Sequence, residues 1–290
     1  MLEFPSLYSS ADALSRKGQR WQKGFFASSF CLNLIAAVLA SLSRQTQLTL
    51  GFVWMCMVAS VMLSMFLYLF RPEVEWFSGR ALAESVKTLA WRYSTCAEPY
   101  DYGLPEREAE MALHTALLTM LREAQDIGSG LATPSGSKPQ ISQSMKKLRM
   151  SSLPDRREAY SIHRLQDQQS WYSSQARKNR RLDRVWSFAF VVCQFLALCA
   201  AAVAAIHGKT GPVYMVGILT TLAGSLVAWQ QLCQFGALAT AYGMTSQELA
   251  SIQSTFSLCT TDKEFSEFVL SAEQAISREH TFWLARRRRP

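Results

Sequence analysis

One uncharged stretch limits the folds open to this chain more than any other feature of the sequence. Residues 185–206 read VWSFAFVVCQFLALCAAAVAAI, which is 22 residues without Asp, Glu, Lys or Arg. A helix of that length rises about 33 Å, enough to cross a hydrocarbon core of about 30 Å. Buried helices of soluble proteins are seldom so long and so uniformly apolar. The stretch therefore predicts a membrane-spanning helix.

Three more stretches share this character, so the sequence predicts an all-α membrane protein with four transmembrane helices in two hairpins. The predicted spans are residues 25–42, 48–70, 185–206 and 213–238. Each is close to or above the length that crosses a bilayer. The alternative, buried core helices of a soluble protein, is disfavoured because the second and third stretches are too long and too free of charge. The connections 43–47 and 207–212 are short, and Gly211-Pro212 favours a turn followed by a helix start.

The basic residues predict the orientation of these spans. Residues 71–184 hold eighteen of the 30 Lys and Arg residues, whereas the two hairpin turns hold one each, Arg44 and Lys209. All 22 acidic residues lie in the two tails and in 71–184. Because segments rich in Lys and Arg stay in the cytoplasm, we expect both termini and the middle of the chain to be cytoplasmic. We also expect the cytoplasmic helices to pack as a bundle beneath the spans.

A basic cluster just before the third span fits two functions. Five Lys or Arg residues lie within 177–184, shortly after the pair Trp171 and Tyr172. Such a stripe suits nucleic-acid binding or a membrane surface. Its place against the span favours a positive-inside anchor that also touches anionic lipid head groups, and it disfavours nucleic acid. The predicted membrane-surface residues are Arg177, Lys178, Arg180, Arg181, Arg184, Arg286, Arg287, Arg288 and Arg289.

Aromatic and acidic residues of the charge-rich segments favour structural roles. Trp171 and Tyr172 lie about three to four helical turns before the third span, beyond the usual interfacial aromatic belt. We expect them to pack between cytoplasmic helices, against Trp283 or against the helix predicted at 106–126. In the last predicted helix Glu273 shares a face with Glu279, which indicates a solvated or salt-bridged surface.

The spans hold a few polar residues and no charged residue at depth. This disfavours a proton-coupled transporter or a voltage sensor, because such proteins place charged residues there. The candidate residues, which either line a pore or join helices by hydrogen bonds, are Asn33, Gln194, Gln230, Gln231 and Gln234. The last three also fit the cytoplasmic boundary of one long helix continuing toward Ala241. Small residues that allow close helix approach, within a hairpin or between copies, are Ala197, Ala201, Ala205, Thr220, Gly224 and Ala228.

Ser, Gly and Pro are concentrated in 126–158, which the sequence predicts to be a flexible linker. The linker separates two units of similar plan, 1–125 and 159–290. Each unit has a basic helix, a transmembrane hairpin and then cytoplasmic helices. The predicted helices outside the spans are 73–126 in the first unit, and the basic helix 159–184 and the cytoplasmic helices 245–286 in the second.

The sequence indicates no catalytic, cofactor-binding or metal-binding site. None of the four His residues lies in an H-E-x-x-H or comparable spacing, and no P-loop, G-x-G-x-x-G or G-x-S-x-G motif is present. The seven Cys residues form no C-x-x-C pair, so we expect small apolar packing roles rather than zinc or disulfides. We therefore expect a protein that is not an enzyme.

Several stretches resemble one family of membrane domains. The chain resembles the SLATT domain in HRLQDQQSWYSSQARKNRRLDRVW, in the hairpin that follows, and in AEQAISREHTFWLARR. It resembles a related SLATT variant, which often precedes the first in tandem, in ADALSRKGQRW before the first span and in WRYSTCAEPYD after the second. The two resemblances cover about 8–125 and 155–288.

The resemblance implies a protein of the bacterial inner membrane that acts as a pore-forming or membrane-disrupting effector in conflict systems, including phage defence. It also implies a signal-producing or signal-sensing partner encoded nearby, because this chain has no recognisable nucleotide-binding or polymerase domain. From the residues we expect a homo-oligomer, since four mostly apolar helices of one chain form a packed bundle and not a water-filled channel. Two alternatives stay open. One is a non-conducting membrane scaffold or sensor that recruits a cytoplasmic partner, and the other is a small-solute channel.

Overall fold

Helices form all regular elements in the part of the chain that the structure describes. This computed structural model describes residues 2–42, 46–131, 139–207 and 211–287, with side chains over 2–42, 46–131, 139–206 and 213–277. The α-helices of these residues are α1 Ser6–Ala40, α2 Gln47–Phe70, α3 Pro72–Ser94, α4 Glu106–Glu123, α5 Gln143–Arg149, α6 Leu153–Tyr160, α7 Asp167–His207, α8 Gly211–Cys233, α9 Phe235–Ser254 and α10 Asp262–Arg287. The predicted all-α fold is confirmed.

Four helical runs are long and apolar enough to cross a membrane, as the sequence predicts. They are Ser6–Ala40, Gln47–Phe70, Leu153–Ile206 and Val213–Leu258. Capping hydrogen bonds mark the start of the second run, and a left-handed residue marks its end. The Thr46 hydroxyl accepts a hydrogen bond from the backbone N–H of Thr49, while the Thr49 hydroxyl accepts one from the N–H of Thr46. The run ends where Arg71 adopts a left-handed conformation with φ 43°.

The internal contacts of the chain divide it into two compact units. The polar unit consists of Met1–Gln19, Glu73–Ala176 and Thr240–Pro290. The span unit consists of Arg20–Pro72 and Arg177–Ala239. Neither unit is one continuous stretch, because each draws on both halves of the sequence. Helices α1 and α7 contribute residues to both units.

Two apolar clusters form the core of the polar unit. The first includes Leu7, Ala11, Leu14, Leu82, Val86, Tyr93, Leu113, Leu117, Ile127 and Met145. The second includes Trp91, Tyr160, Leu165, Tyr172, Leu249, Phe265, Val269, Ala272 and Ile276. Apolar residues spaced by three or four positions supply these clusters, so helix periodicity explains which face of each helix is buried. The polar unit therefore has the dense interior of a soluble helical domain.

The predicted flexible linker over 126–158 is wrong for much of its described length. Helices α5 and α6 lie there, and each begins at a serine, Ser142 or Ser152, whose hydroxyl accepts a backbone N–H. The buried side chains of these helices include Met145, Arg149 and Arg156. Two serines of the segment cap helices. A segment rich in serine also has the composition that is typical of a flexible linker, which explains the wrong prediction. Residues 132–138 lie outside the described residues.

The predicted long helix from the fourth span toward Ala241 is interrupted at Gln234. This residue adopts a left-handed conformation with φ 50°, between the end of α8 and the start of α9. Its N–H still donates to the carbonyl of Gln230 at 2.7 Å, so backbone hydrogen bonding continues up to the break. A Cβ atom at Gly236 would lie 3.1 Å from a carboxylate oxygen of Asp183, so glycine permits the close approach of α9 to α7.

Candidate functional site

Two polar contacts join helices within the span unit. Ser29 Oγ and Ser60 Oγ share a hydrogen bond of 2.7 Å between α1 and α2. Gln230 Nε2 donates to Ser187 Oγ at 3.0 Å between α8 and α7. Interhelical hydrogen bonds of this kind are worth about 0.6–2 kcal/mol in membranes. Gln230 is thus the one of the five predicted polar residues for which the described contacts include an interhelical hydrogen bond.

Of the other four predicted polar residues, Gln231 and Gln234 are close to Gln230 in sequence, whereas Asn33 and Gln194 lie on other helices. Asn33 is half-buried on α1, and Gln194 is exposed on α7. Gln231 and Gln234 are both exposed, three residues apart, at the end of α8. A residue on an exposed face contacts lipid or another chain in a membrane, whereas Gln230 already has a partner within its own hairpin.

The predicted small-residue face of α7 is split between two environments. Ala197 is buried, and Cys193, one turn earlier, is buried beside it. Ala201 and Ala205 are exposed. Ala197 therefore packs within the chain, whereas Ala201 and Ala205 are open to lipid or to another copy, because steps of four residues drift around a helix that has 3.6 residues per turn.

Helix α8 exposes a narrow stripe of small and polar residues. Between residues 216 and 233 the exposed positions are Gly217, Thr220, Gly224, Val227 and Gln231, which we call the α8 stripe. They follow one another at steps of three and four, so they lie on one face of the helix. A Cβ atom added at Gly217 or Gly224 would meet no heavy atom within 4 Å. The α8 stripe is therefore open in the single chain.

Helix α2 exposes a different kind of surface. Trp54, Met62 and Tyr68 have 68%, 67% and 81% of their surface exposed. Bulky apolar side chains of this kind suit contact with lipid tails, whereas interfaces between membrane helices favour small residues. The exposed faces of α2 and α8 therefore differ in both size and polarity.

A buried ion pair lies inside the polar unit. Arg164 donates from Nη2 to Glu273 Oε2 at 2.6 Å and from Nε to Oε1 at 2.7 Å. Tyr160 donates its hydroxyl to Oε1 at 3.0 Å, and Thr88 donates to Oε2 at 2.8 Å. The side chains of Arg164 and Glu273 are 0% and 1% exposed. Because each carboxylate oxygen accepts two hydrogen bonds, the buried charge of Glu273 is well satisfied.

The surroundings of this pair fix its protonation. Burial opposes the charge of Arg164, but the Glu273 carboxylate and its hydrogen bonds outweigh burial and hold the pKa of Arg164 above its usual value. Burial and then Glu273 raise the pKa of Tyr160 well above that of free tyrosine, so its hydroxyl stays a neutral donor. Burial and then the Arg164 charge lower the pKa of the neighbouring Lys87. Groups whose protonation states stay constant near neutral pH are poorly suited to proton transfer. This pair is better suited to holding helices together.

A π-helical turn over Ser161–Gln166 positions Arg164. A π turn takes one residue more than an α turn, which shifts the direction in which the side chains point. Both Arg164 and Leu165 are buried within it. Sequence reasoning missed Arg164 because SIHR reads as part of a basic surface helix. The only nearby signal was the apolar pair Tyr160 and Leu165, whose spacing of five residues departs from the α-helical period.

Two further arginines are buried in the polar unit, and neither was predicted. Arg149 donates to four backbone carbonyls in and after α3, those of Tyr93, Tyr100, Asp101 and Leu104. Arg156 pairs with Asp262 at 2.6 Å and donates to the carbonyl of Thr95 at 3.1 Å. A guanidinium group offers five N–H donors, so each arginine can satisfy several carbonyls where the chain turns after α3.

The predicted aromatic pair lies within the polar unit. The ring centroid of Trp171 is 5.3 Å from that of Tyr242, and the guanidinium carbon of Arg80 lies 5.7 Å from the Trp171 ring. Tyr172 is buried, and its ring centroid is 5.7 Å from that of Tyr242. The described partners therefore come from α3 and α9 rather than from the predicted helix α4. The side chain of Trp283 lies outside the described residues.

The predicted basic residues fall into a described and an undescribed group. The described group consists of five basic residues of α7, all exposed: Arg177, Lys178, Arg180, Arg181 and Arg184. The residues whose side chains lie outside the described part of the chain are Arg286, Arg287, Arg288 and Arg289.

The described residues contain no group of three or more His, Cys, Asp or Glu side chains that could hold a metal ion. All seven cysteines are free thiols. Burial raises the pKa of the thiols of Cys96 and Cys259, so these side chains are uncharged near neutral pH. Small, uncharged buried thiols pack as apolar side chains.

Comparison with known families accounts for nearly the whole chain. Residues 5–157 match the SMODS and SLOG-associating 2TM effector domain 3, a match that covers more than half of the chain. Residues 160–283 match the SMODS and SLOG-associating 2TM effector domain 1. The chain belongs to the SLATT family. No curated protein and no solved structure gives a significant match.

The predicted resemblance to tandem SLATT domains is confirmed by these two matches. Each SLATT domain of the chain holds two of the helices that are long and apolar enough to cross a membrane. The chain is therefore a multi-pass membrane protein built from two 2TM effector domains of the kind associated with conflict and defence systems.

The buried ion pair also connects the two SLATT domains. Thr88 lies in the first domain, while Arg164 and Glu273 lie in the second. The pair between Arg156 and Asp262 crosses the same boundary. The two SLATT domains thus build one shared polar unit, in which charges of each domain are neutralised or hydrogen-bonded by the other.

Proposed function

We propose that this SLATT protein assembles as a homo-oligomer and opens a pore in, or disrupts, the bacterial inner membrane when a cytoplasmic cue acts on its polar unit. Loss of the membrane potential then arrests or kills the host cell, as an anti-phage or abortive-infection response. The proposal includes no catalytic step. It places both termini in the cytoplasm, on the distribution of Lys and Arg along the chain.

The α8 stripe is the observation that carries this proposal. Gly217, Thr220, Gly224 and Gln231 give this face little bulk and some polarity, and nothing in the described chain covers either glycine. Small residues let the helix of a second copy approach closely, and an amide can form hydrogen bonds across the contact. A single chain of four apolar helices makes a packed bundle. A water-filled path across the membrane needs several chains. The α8 stripe is the face best suited to contact between these chains.

The architecture of the polar unit supports its proposed role, which is to receive the cytoplasmic cue. Each SLATT domain supplies one hairpin, and the shared buried charges hold the two domains together. Helices α1 and α7 have residues in both the polar and the span unit, so a change in the packing of the polar unit reaches the first helix of each hairpin. Packed interfaces of this kind switch between discrete arrangements. A partner encoded nearby would supply the signal.

The membrane potential of cells under tight inducible expression tests the proposal. The test variant is Gly224→Leu, which adds bulk to the α8 stripe. The matched control is Gly51→Leu, because Gly51 is an exposed glycine of α2 with no heavy atom within 4 Å of its Cβ position. We expect the wild type and Gly51→Leu to depolarise the membrane before growth stops, and Gly224→Leu to leave the potential steady.

Two results would contradict the proposal. Depolarisation by Gly224→Leu at the wild-type rate would remove the α8 stripe from the mechanism. A steady potential in wild-type cells that also carry the native neighbouring genes and are challenged with phage would replace the pore by a non-conducting scaffold. Equal membrane abundance of the variants is checked on the same cells.

A further inference from the structure

Four arginines lie on one face of α7 just before its apolar stretch. Arg177, Arg180, Arg181 and Arg184 follow one another at steps of three, one and three, which places them within one side of a helix. All four are exposed. Together with Val185 they line a shallow open groove of about 580 Å³. Four guanidinium groups and the first apolar residue of the span therefore line the same groove.

These four arginines have no acidic partner among the described residues, whereas Arg16 and Arg80 each have one. No carboxylate of the described residues lies within ion-pair distance of any of them. Elsewhere Arg16 pairs with Asp12 at 2.5 Å, and Arg80 pairs with Glu84 at 3.2 Å. Four adjacent positive charges repel one another and gain from a bound anion. The groove thus concentrates four positive charges, and Asp183, the one acidic residue between 177 and 185, forms no ion pair with them.

The position of the groove selects the kind of anion. With Val185 at the edge of the hydrocarbon, Arg184 lies about 1.5 Å outside it, Arg181 about 6 Å and Arg177 about 12 Å. The head-group layer on each side of a bilayer is about 5–8 Å thick. Arginine side chains extend toward this layer with their stems along apolar surface. Arg180, Arg181 and Arg184 therefore reach the level of lipid phosphates, and Arg177 lies at its outer limit.

We propose that Arg177, Arg180, Arg181 and Arg184 form a binding site for the phosphate groups of anionic phospholipids. Guanidinium groups bind phosphate with two parallel hydrogen bonds, and Val185 contacts the acyl chain of the same lipid. The site holds the start of α7 at the membrane surface. This inference is independent of conduction, because a scaffold with the same spans would bind the same lipids.

Lipid binding by the full chain in a neutral detergent tests the proposal. Native mass spectrometry counts retained molecules of phosphatidylglycerol and, separately, of phosphatidylcholine. The test variant replaces Arg180, Arg181 and Arg184 together by Gln. The matched control replaces Arg107, Arg122 and Lys147 by Gln, which removes the same charge from three exposed residues of α4 and α5.

The wild type and the matched control should retain phosphatidylglycerol over phosphatidylcholine. At about fivefold in affinity for each basic residue near the surface, the test variant should bind phosphatidylglycerol roughly a hundredfold more weakly. Replacement of Arg177 alone by Gln should have a smaller effect than replacement of Arg184 alone. A triple Arg180→Lys, Arg181→Lys, Arg184→Lys variant should restore only part of the binding, because it restores the charge but not the two parallel hydrogen bonds of each guanidinium group.

Several outcomes would overturn the inference. Equal binding of phosphatidylglycerol by the test variant and the matched control would remove the groove as the site. Complete displacement of the lipid by millimolar inorganic phosphate would assign the site to free phosphate. Binding of a short DNA duplex that the Gln variant loses, with lipid binding unchanged, would assign it to nucleic acid.

Discussion

The polar unit and the span unit treat their polar residues in opposite ways. The polar unit buries charges and satisfies them, as the hydrogen bonds around Glu273 show. The span unit leaves the polar and small residues of the α8 stripe on an open face. The buried charges of Glu273 and Arg164 are paired within one chain and need no second chain to neutralise them. An open stripe of Gly, Thr and Gln in an apolar environment is better satisfied by a partner. This difference is why we propose the spans as the surface through which copies assemble.

The largest expected effect comes from breaking the buried pair. Glu273→Ala leaves Arg164 as an uncompensated buried charge, which should destabilise the polar unit by about 3–5 kcal/mol. Chemical denaturation of the purified chain in detergent, followed by circular dichroism, measures the loss. Glu267→Ala on the exposed side of the same helix is the control and should change stability by less than about 0.5 kcal/mol.

A double variant sharpens the same result. Arg164→Met with Glu273→Met removes both charges and fills the space with apolar atoms, so it should be more stable than Glu273→Ala. Equal losses of unfolding free energy in Glu273→Ala and Glu267→Ala would contradict the role of Glu273 as the buried partner of Arg164.

The next effect concerns one donor to the buried carboxylate. Tyr160→Phe removes the hydroxyl that donates to Glu273 Oε1 at 3.0 Å and leaves the ring in place. The loss should be about 1.5–3 kcal/mol, because a hydrogen bond to a charged group is stronger than a neutral one. The same denaturation assay measures it, with Tyr102→Phe at an exposed tyrosine as the control. A loss no greater than that of the control would contradict the hydrogen-bond assignment.

A smaller effect is expected within the span unit. Gln230→Leu removes the hydrogen bond to Ser187 between α8 and α7. Its cost should be about 1 kcal/mol, since interhelical hydrogen bonds in membranes are individually weak. Steric-trap or denaturant unfolding in bicelles measures this cost, and Gln231→Leu on the exposed stripe is the matched control. If Gln231→Leu alone weakened the unfolding resistance of a single chain, the division between packed and exposed glutamines would be wrong.

The smallest effect is a pH dependence at the start of α10. Hydrogen bonds from the backbone N–H groups of Thr260 and Thr261 lower the pKa of Glu264 from 4.5 to about 2. Because the pKa is lower in the folded chain, the stabilisation is complete above about pH 4.5 and is lost as the pH falls toward 2. Glu264→Gln should flatten this part of the curve of melting temperature against pH, whereas Glu267→Gln should not. Parallel curves for the wild type and Glu264→Gln would contradict the cap.

The spans and the family were predictable because their signals are local. A stretch without charge over 185–206 has few structural interpretations, and the SLATT-like motifs are contiguous in sequence. The position of Gln230 near the end of a span was equally visible. Its partner Ser187 was not, since it lies 43 residues earlier in the chain.

The polar unit was harder to predict because its key contacts join distant residues. Arg164 and Glu273 are 109 residues apart, and neither has a neighbour in sequence that distinguishes it from a solvated charge. The break at Gln234 lacks a proline or glycine at the position itself. The segment 126–158 looked like a linker because its serines suit loops and helix caps equally well. The burial of Met145, Arg149 and Arg156 shows that this segment is part of the core.

The central claim is that the span unit is completed by other copies through the α8 stripe. The mass of the purified chain in lipid nanodiscs tests it most directly, with the wild type, Gly224→Leu and Gly51→Leu measured side by side. We predict several chains per nanodisc for the wild type and for Gly51→Leu, and a single chain for Gly224→Leu. A single chain in the wild-type nanodiscs, or the same multiple in all three proteins, would contradict the account.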